Sequence, residues 1–233
     1  MAIDEAILQA VNEGSSPATL RFYQWSQPTI SLGYFQKYQE FTGQDDQIRR
    51  LPCVRRQTGG GAILHDDELT YSLVLPLKEK TPAKNIEYMY QLVHDAFIAV
   101  LTDLGIKVGY RGGNDNGNTQ RGPFFCFSRT HRLDLVLENG AKLLGSAQRR
   151  IKNAVLQHGS LILQQHFPQQ PSAQLVKDES SPVDLDELVS NVASHIAKQL
   201  RLSPLPSRLS AAEQKLLHSL LDKYHSAPWN RQR

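Results

Sequence analysis

The sequence predicts an α+β domain with a central mixed, mostly antiparallel sheet flanked by helices. Three observations carry that prediction. Short β-prone runs bounded by turn residues recur through the first two thirds of the chain. Between them lies one long amphipathic segment, Asn85 to Leu104, whose Ile86, Met89, Tyr90, Leu92, Val93, Ala96, Phe97, Val100, Leu101 and Leu104 form one broad apolar face. Helices and strands come in mixed order, as expected of an α+β domain.

Taken in order, residues 2 to 13 read as a helix, with Ile3, Ala6, Ile7, Ala10 and Val11 at helical spacing and Gly14 ending it. Residues 20–25 alternate as a strand, and Thr29 to Gly33 form a second, with Tyr34 and Phe35 just beyond. Residues 36–48 are polar and partly helical. Leu51 to Val54 and Ala62 to Leu64 flank Gly59-Gly60-Gly61, which reads as strand, tight glycine turn, strand. Leu69 to Leu75 is a strand stopped by Pro76. The long helix ends at Gly105. Residues 111–123 are crowded with turn formers and read as a mobile loop, a common form of functional lid. Leu133 to Leu137 is a strand, Asn139-Gly140 a hairpin turn, and Lys142 to Arg150 the return strand. Residues 154–163 read as a further strand pair, 168–183 as a connector, and 185–202 and 211–224 as two helices.

Composition narrows the function. The chain has 233 residues, of which 40% are apolar and 21% charged, and its net charge is +3. That is enough for a real core and too mild a charge for a nucleic-acid binder. Arg49-Arg50, Arg55-Arg56 and Arg149-Arg150 suit acidic partners. Two cysteines, Cys53 and Cys126, form no disulfide framework and point to a reducing compartment. No apolar run approaches the ~20 residues needed to span a membrane. The N-terminus carries acids where a signal peptide needs basic residues, so the expected location is cytoplasmic, with no membrane association.

The chemistry concentrates in four places. The glycine turn lies between Arg55-Arg56 and His65; its N–H groups could cradle an anion, and either arginine could add a planar fork for a carboxylate or phosphate. It is not a P-loop, because no Gly-Lys-Ser/Thr follows. Cys126, within Phe124-Phe125-Cys126-Phe127, is either a buried small hydrophobe or a nucleophile at the base of the loop. Lys142 begins a strand and is the candidate cation, because a partly desolvated lysine can exchange protons near neutrality. His65 and His158 each follow an apolar strand. The histidines and cysteines lack metal-site spacing, so no metal is expected.

Together, Arg55 to Asp66, Lys142-Leu143-Leu144-Gly145-Ser146-Ala147-Gln148-Arg149 and Gln157-His158-Gly159-Ser160 resemble the motifs of the lipoate–protein ligase and octanoyltransferase family, and more distantly the biotin–protein ligases. The order is the family's, and Met1 to Ala6 and Tyr23 to Gln36 resemble its opening. The resemblance implies that residues 1–167 form the catalytic domain, with 168–233 a connector and helices packed on it. It implies an acyl pocket lined by Arg56, Gly59, Gly60, Gly61 and His65, walled by Gly145, Ser146, Ala147, His158 and Gly159, with Lys142 at the acyl carbonyl.

Cys126-Phe127 resembles the Cys-Phe of the LipM-type octanoyltransferases. That branch implies octanoyl transfer from octanoyl-acyl carrier protein through a Cys126 thioester to one lysine of a lipoyl domain or of glycine-cleavage H protein. No cofactor is then required, and the enzyme is expected to act as a monomer. The alternative branch is an ATP-dependent lipoate–protein ligase using ATP and Mg, for which Cys126 is dispensable. A non-catalytic lipoyl-binding relative is a third reading. The family usually has a strand before the Met-Ala-Ile-Asp-Glu helix, so either the start is truncated or the sheet is expected to lack an edge strand.

Overall fold

The computed structural model describes residues 1–77, 82–113, 122–175 and 183–232. Its strands are β1 (Thr19–Tyr23), β2 (Thr29–Leu32), β3 (Cys53–Arg55), β4 (Ile63–His65), β5 (Glu68–Pro76), β6 (Val108–Tyr110), β7 (Leu135–Leu137), β8 (Lys142–Arg150) and β9 (Ala154–Ile162). Its helices are α1 (Ala2–Glu13), α2 (Tyr38–Thr42), α3 (Asp46–Arg49), α4 (Ile86–Asp103), α5 (Leu185–Leu200), α6 (Ala211–His225) and α7 (Ala227–Asn230). The predicted α+β class is the observed one.

Six strands form an antiparallel sheet in the order β1-β5-β9-β8-β7-β6. Its centre is β5 and β9, buried along almost their whole length. One face of β5 (Leu69, Tyr71, Leu73, Leu75) packs on α4 and α5 through Met89, Leu92, Phe97, Leu188 and Val192. On the other face Val74 and Leu156 meet Ile7, Leu8 and Val11 of α1. This opposition follows from the two-residue period of a strand. The caps are those the sequence specifies: Gly14 closes α1 at φ 76°, and the Asn85 side chain accepts the Glu87 N–H at the start of α4.

Two local readings need correction. Residues 154–163 are not a strand pair. Gly159 does not turn; it sits mid-strand, in register with Tyr71 on one side and Ser146 on the other. A Cβ there would lie 2.4 Å from Ser146 Oγ and 2.7 Å from Tyr71 Cε1, so Gly159 admits neighbouring side chains rather than bending the chain.

The glycine turn does not close a hairpin either. β3 and β4 never pair with each other; β2 lies between them, parallel to β3 and antiparallel to β4, in a separate three-stranded sheet. The connection between β3 and β4 therefore crosses over the end of β2, where a Cβ on Gly33 would lie 2.0 Å from Gly60 O. Residues 114–121 of the expected mobile loop, and 176–182 of the connector, lie outside the described residues. No helix among the described residues is long and apolar enough to cross a membrane.

Candidate active site

A narrow cleft opens between the face of the large sheet and the small sheet. Of the sequence-predicted residues, Arg56, His65, Cys126, Gly145, Ser146, Ala147, His158 and Gly159 all line it. Motifs separated by up to a hundred positions thus converge on one cavity. Gly59, Gly60, Gly61 and Lys142 are not among the residues that line it, which corrects the expectation that the three glycines form its lining.

Cys126 starts a single 3-10 turn, Cys126–Ser128. Its N–H donates to Ala62 O at 2.7 Å, while Ala62 N–H donates to Phe124 O at 2.8 Å, so the segment is stitched to the strand after the glycine turn. Phe127, Ile63 and Ile162 form an apolar cluster against Cys126, a surface on which an alkyl chain can lie. A Cβ on Gly61 would come within 2.9 Å of Cys126 N, so only glycine permits this approach. Cys53, the other cysteine, is on β3, and burial pushes its thiol up to about 12 despite the opposing charges of Arg55 and Arg231.

Arg56 is almost fully buried. Its five N–H groups meet neutral oxygens: Nε the Thr58 Oγ1, Nη1 the Ser31 O and Oγ, and Nη2 the carbonyls of Gly59 and Gly61 at 2.8 and 2.6 Å. The expectation of a free fork for a carboxylate or phosphate is therefore corrected. The glycine carbonyls wrap the guanidinium, and Arg56 presents the cleft with positive charge rather than with donors. Burial lowers its pKa to about 10, which leaves it charged at neutral pH. A Cβ on Gly60 would lie 3.0 Å from Arg56 Nη2 and 3.8 Å from Cys126 Sγ, which locates that charge beside the thiol. Arg55 points elsewhere, donating to the carbonyls of Gly33, Tyr34 and Gln36 and to the C-terminal segment.

Lys142 is 4% exposed and forms a 2.9 Å ion pair with Asp134, itself buried. Its Nζ also donates to Cys126 O at 3.4 Å. Its side chain folds back over Gly145, where a Cβ would lie 2.5 Å from Cε and 2.9 Å from Nζ. Gly145→Ala is expected to displace the Lys142 ammonium and to cut the acyl transfer that the resemblance implies by about 10²-fold, while circular dichroism stays that of the wild type. Full activity in that variant would mean that Lys142 can move without consequence.

Sequence reasoning missed several buried partners. Asp134 is one; an acid inside the apolar run Leu133 to Leu137 was the available signal. Ser31 and Glu68 are two more. His65 Nδ1 donates to Glu68 Oε1 and its Nε2 faces Ser31 Oγ, both at 2.7 Å, while its ring stacks on Trp25 at 4.1 Å. Both ring nitrogens are therefore engaged away from the cleft, and His65 shapes the wall. His158 Nε2 faces Thr58 Oγ1 at 2.6 Å, and burial depresses this imidazole.

Ser146 is tied on the opposite face of the sheet to Tyr71 OH at 2.6 Å and His94 Nε2 at 2.7 Å. Burial pulls His94 down to about 3, against the raising effect of its bond to Leu133 O. The neutral ring donates from Nδ1 to that carbonyl at 2.6 Å and accepts from Ser146. An unfolded histidine titrates near ~6.5, so below that pH the unfolded chain binds a proton that the folded chain refuses. Stability should fall by about 1.4 kcal/mol per pH unit from about pH 6.5 towards 3 on this account. Urea melts of His94→Gln should show a shallower acid loss; an unchanged slope would remove His94 from the cause.

The family model for the lipoyl protein ligase A/B catalytic domain matches residues 1–212. The chain belongs to that family. Octanoyltransferase LipM of Brevibacillus brevis is 33% identical over 260 aligned positions, covering 100% of this chain and 94% of the relative. Octanoyltransferase LipM of Moorella thermoacetica is 35% identical over 255, covering 100% and 93%. Among solved structures, lipoate-protein ligase A bound with ATP superposes with a TM-score of 0.77 at 24% identity, covering 99% of this chain and 92% of that one. A bi-partite lipoate protein ligase from Thermoplasma acidophilum gives 0.73 at 22%, covering 99% and 89%. The fold of the lipoyl protein ligase family is thus the fold described above.

Proposed function

We propose that this member of the lipoyl protein ligase A/B catalytic domain family is an acyltransferase of lipoate biosynthesis that moves octanoate from octanoyl-acyl carrier protein to a lysine of a lipoyl domain or of glycine-cleavage H protein. The observation that carries the reading is the placement of Cys126 in the cleft, between the Arg56 charge, the Lys142–Asp134 pair and the apolar cluster of Phe127, Ile63 and Ile162. The full-length likeness to LipM octanoyltransferases supports the same branch.

In the first step the Cys126 sulfur attacks the thioester carbonyl. A C–S bond forms to Cys126, the donor's C–S bond breaks, and the carrier thiol leaves with the proton. The Lys142 ammonium and the Arg56 charge stabilise the negative charge on the carbonyl oxygen. In the second step the acceptor's lysine nitrogen attacks the acyl-enzyme carbonyl. An amide forms, Cys126 is released, and the amine proton passes to its sulfur through Lys142 or a water. Thioester to thioester to amide is downhill, so this route draws on no ATP and no metal.

The ligase reading, with ATP and Mg, needs the glycine turn to hold a phosphate. The deciding experiment supplies purified enzyme, an unmodified lipoyl domain and either octanoyl-acyl carrier protein alone or free lipoate with ATP and Mg. Modification of the lipoyl domain in the first mixture is expected; modification in the second mixture alone would overturn the reading in favour of the ligase.

A further inference from the structure

Beyond residue 212, where the family model stops, the chain returns to the site. The Trp229 indole donates Nε1–H to Arg55 O at 2.9 Å, and Asn230 Oδ1 accepts the Arg55 N–H at 2.9 Å. The Arg55 peptide groups are thus held on both sides, one residue before Arg56. The carbonyls of Trp229, Asn230 and Gln232 accept from the Arg55 guanidinium at 3.2, 3.3 and 2.8 Å. The same guanidinium grips Gly33 O and Gln36 O at 2.9 and 2.8 Å, on the loop whose Gly33 packs against Gly60 O. Arg55 is fully buried.

Trp229 is braced in turn. The Lys223 ammonium sits 3.9 Å from its ring, the Tyr34 ring lies tilted and the Tyr224 ring edge-on to it at 5.9 and 5.8 Å, and Asn230 Nδ2 donates to Tyr224 O at 2.8 Å. We propose that the C-terminal segment Trp229–Gln232 is a positioning element of the active site, in which Trp229 and Asn230 fix the Arg55 backbone and so set Arg56 and the glycine turn against Cys126. The physical reason is a buried charge: the Arg55 guanidinium keeps its acceptors only while tail, loop and strand stay in one arrangement. The step from this clamp to catalysis rests on the octanoyltransferase reading.

The test uses the full chain with Trp229→Phe, which keeps the ring and loses one N–H, together with Asn230→Leu and Asn230→Asp. Two readouts are taken. Hydrogen exchange of the backbone amides at 56–62 reports the turn without reference to activity. Single-turnover acylation by octanoyl-acyl carrier protein reports the chemical step, and steady-state transfer at varied donor concentration reports KM. Trp229→Phe and Asn230→Leu are expected to speed exchange at 56–62 and to slow the chemical step about tenfold with KM for the donor little changed. Asn230→Asp, which keeps the acceptor for Arg55 N–H but loses the donor to Tyr224 O, is expected to exchange more slowly at 56–62 and to react faster than Asn230→Leu, short of the wild type. Unchanged exchange and rate would overturn the proposal, as would a rate loss that tracks the unfolded fraction in thermal melts. A wild type with no acylation, but with faster exchange in the variants, would instead defeat the octanoyltransferase reading and leave the clamp standing.

Discussion

Cys126→Ala enzyme incubated with octanoyl-acyl carrier protein is expected to gain no mass, whereas the wild type gains one octanoyl group that hydroxylamine removes. The lost rate should be the largest of any single substitution, because the covalent route has no second carrier: Cys53 lies on β3 outside the cleft lining, with its thiol pushed up to about 12. The fold should survive. Cys126 is only half-buried, and its stitching to Ala62 is made by its backbone, which alanine retains. Melting temperature and circular dichroism should stay close to wild type, so the loss is chemical. Transfer by Cys126→Ala at the wild-type rate would eliminate the acyl-enzyme.

Lys142→Ala is expected to lower both activity and stability, and a second substitution separates the two. Removing the ammonium costs the charge at the acyl carbonyl, for which a loss of about 10²–10³-fold in kcat is typical. It also leaves the Asp134 carboxylate, which accepts the His131 N–H at 2.8 Å, buried without its cation. Breaking a buried ion pair on one side costs about 3–5 kcal/mol. Lys142→Ala combined with Asp134→Asn removes the stranded charge, so denaturant melts should recover much of the stability. Transfer should not recover, because the cation is still missing. If the double variant regains transfer along with stability, Lys142 is a structural group only. Asp134→Asn alone should keep the fold and lose part of the rate, since the ammonium then lacks the partner that holds it over Gly145.

Much of the fold was legible in the chain. The apolar face of α4, the Asn85 and Gly14 caps, and the Asn139-Gly140 turn all act locally, and local preferences can be read from neighbouring residues. The two failures share one cause. Gly159 was read as a turn, and the Gly59–Gly61 turn, where Gly60 does bend the chain at φ 96°, as joining paired strands. In both places glycine instead makes room for a distant neighbour: Ser146 and Tyr71 at Gly159, and the Cys126 backbone at Gly61. The three residues of β6 and the four of α7 carry too little periodicity to be found without the strand and tail contacts that stabilise them.

The sequence by itself determined which residues could carry the chemistry, because a thiol, a lysine, an arginine and a glycine-rich turn have their reactivity and backbone freedom before folding. Only the tertiary structure decided what each does. It tied all five donors of Arg56 to carbonyls and hydroxyls, turned both nitrogens of His65 to Glu68 and Ser31, and paired Lys142 with Asp134. The reason is that a buried polar group must find partners, and those partners lie up to dozens of positions away, where no local pattern records them.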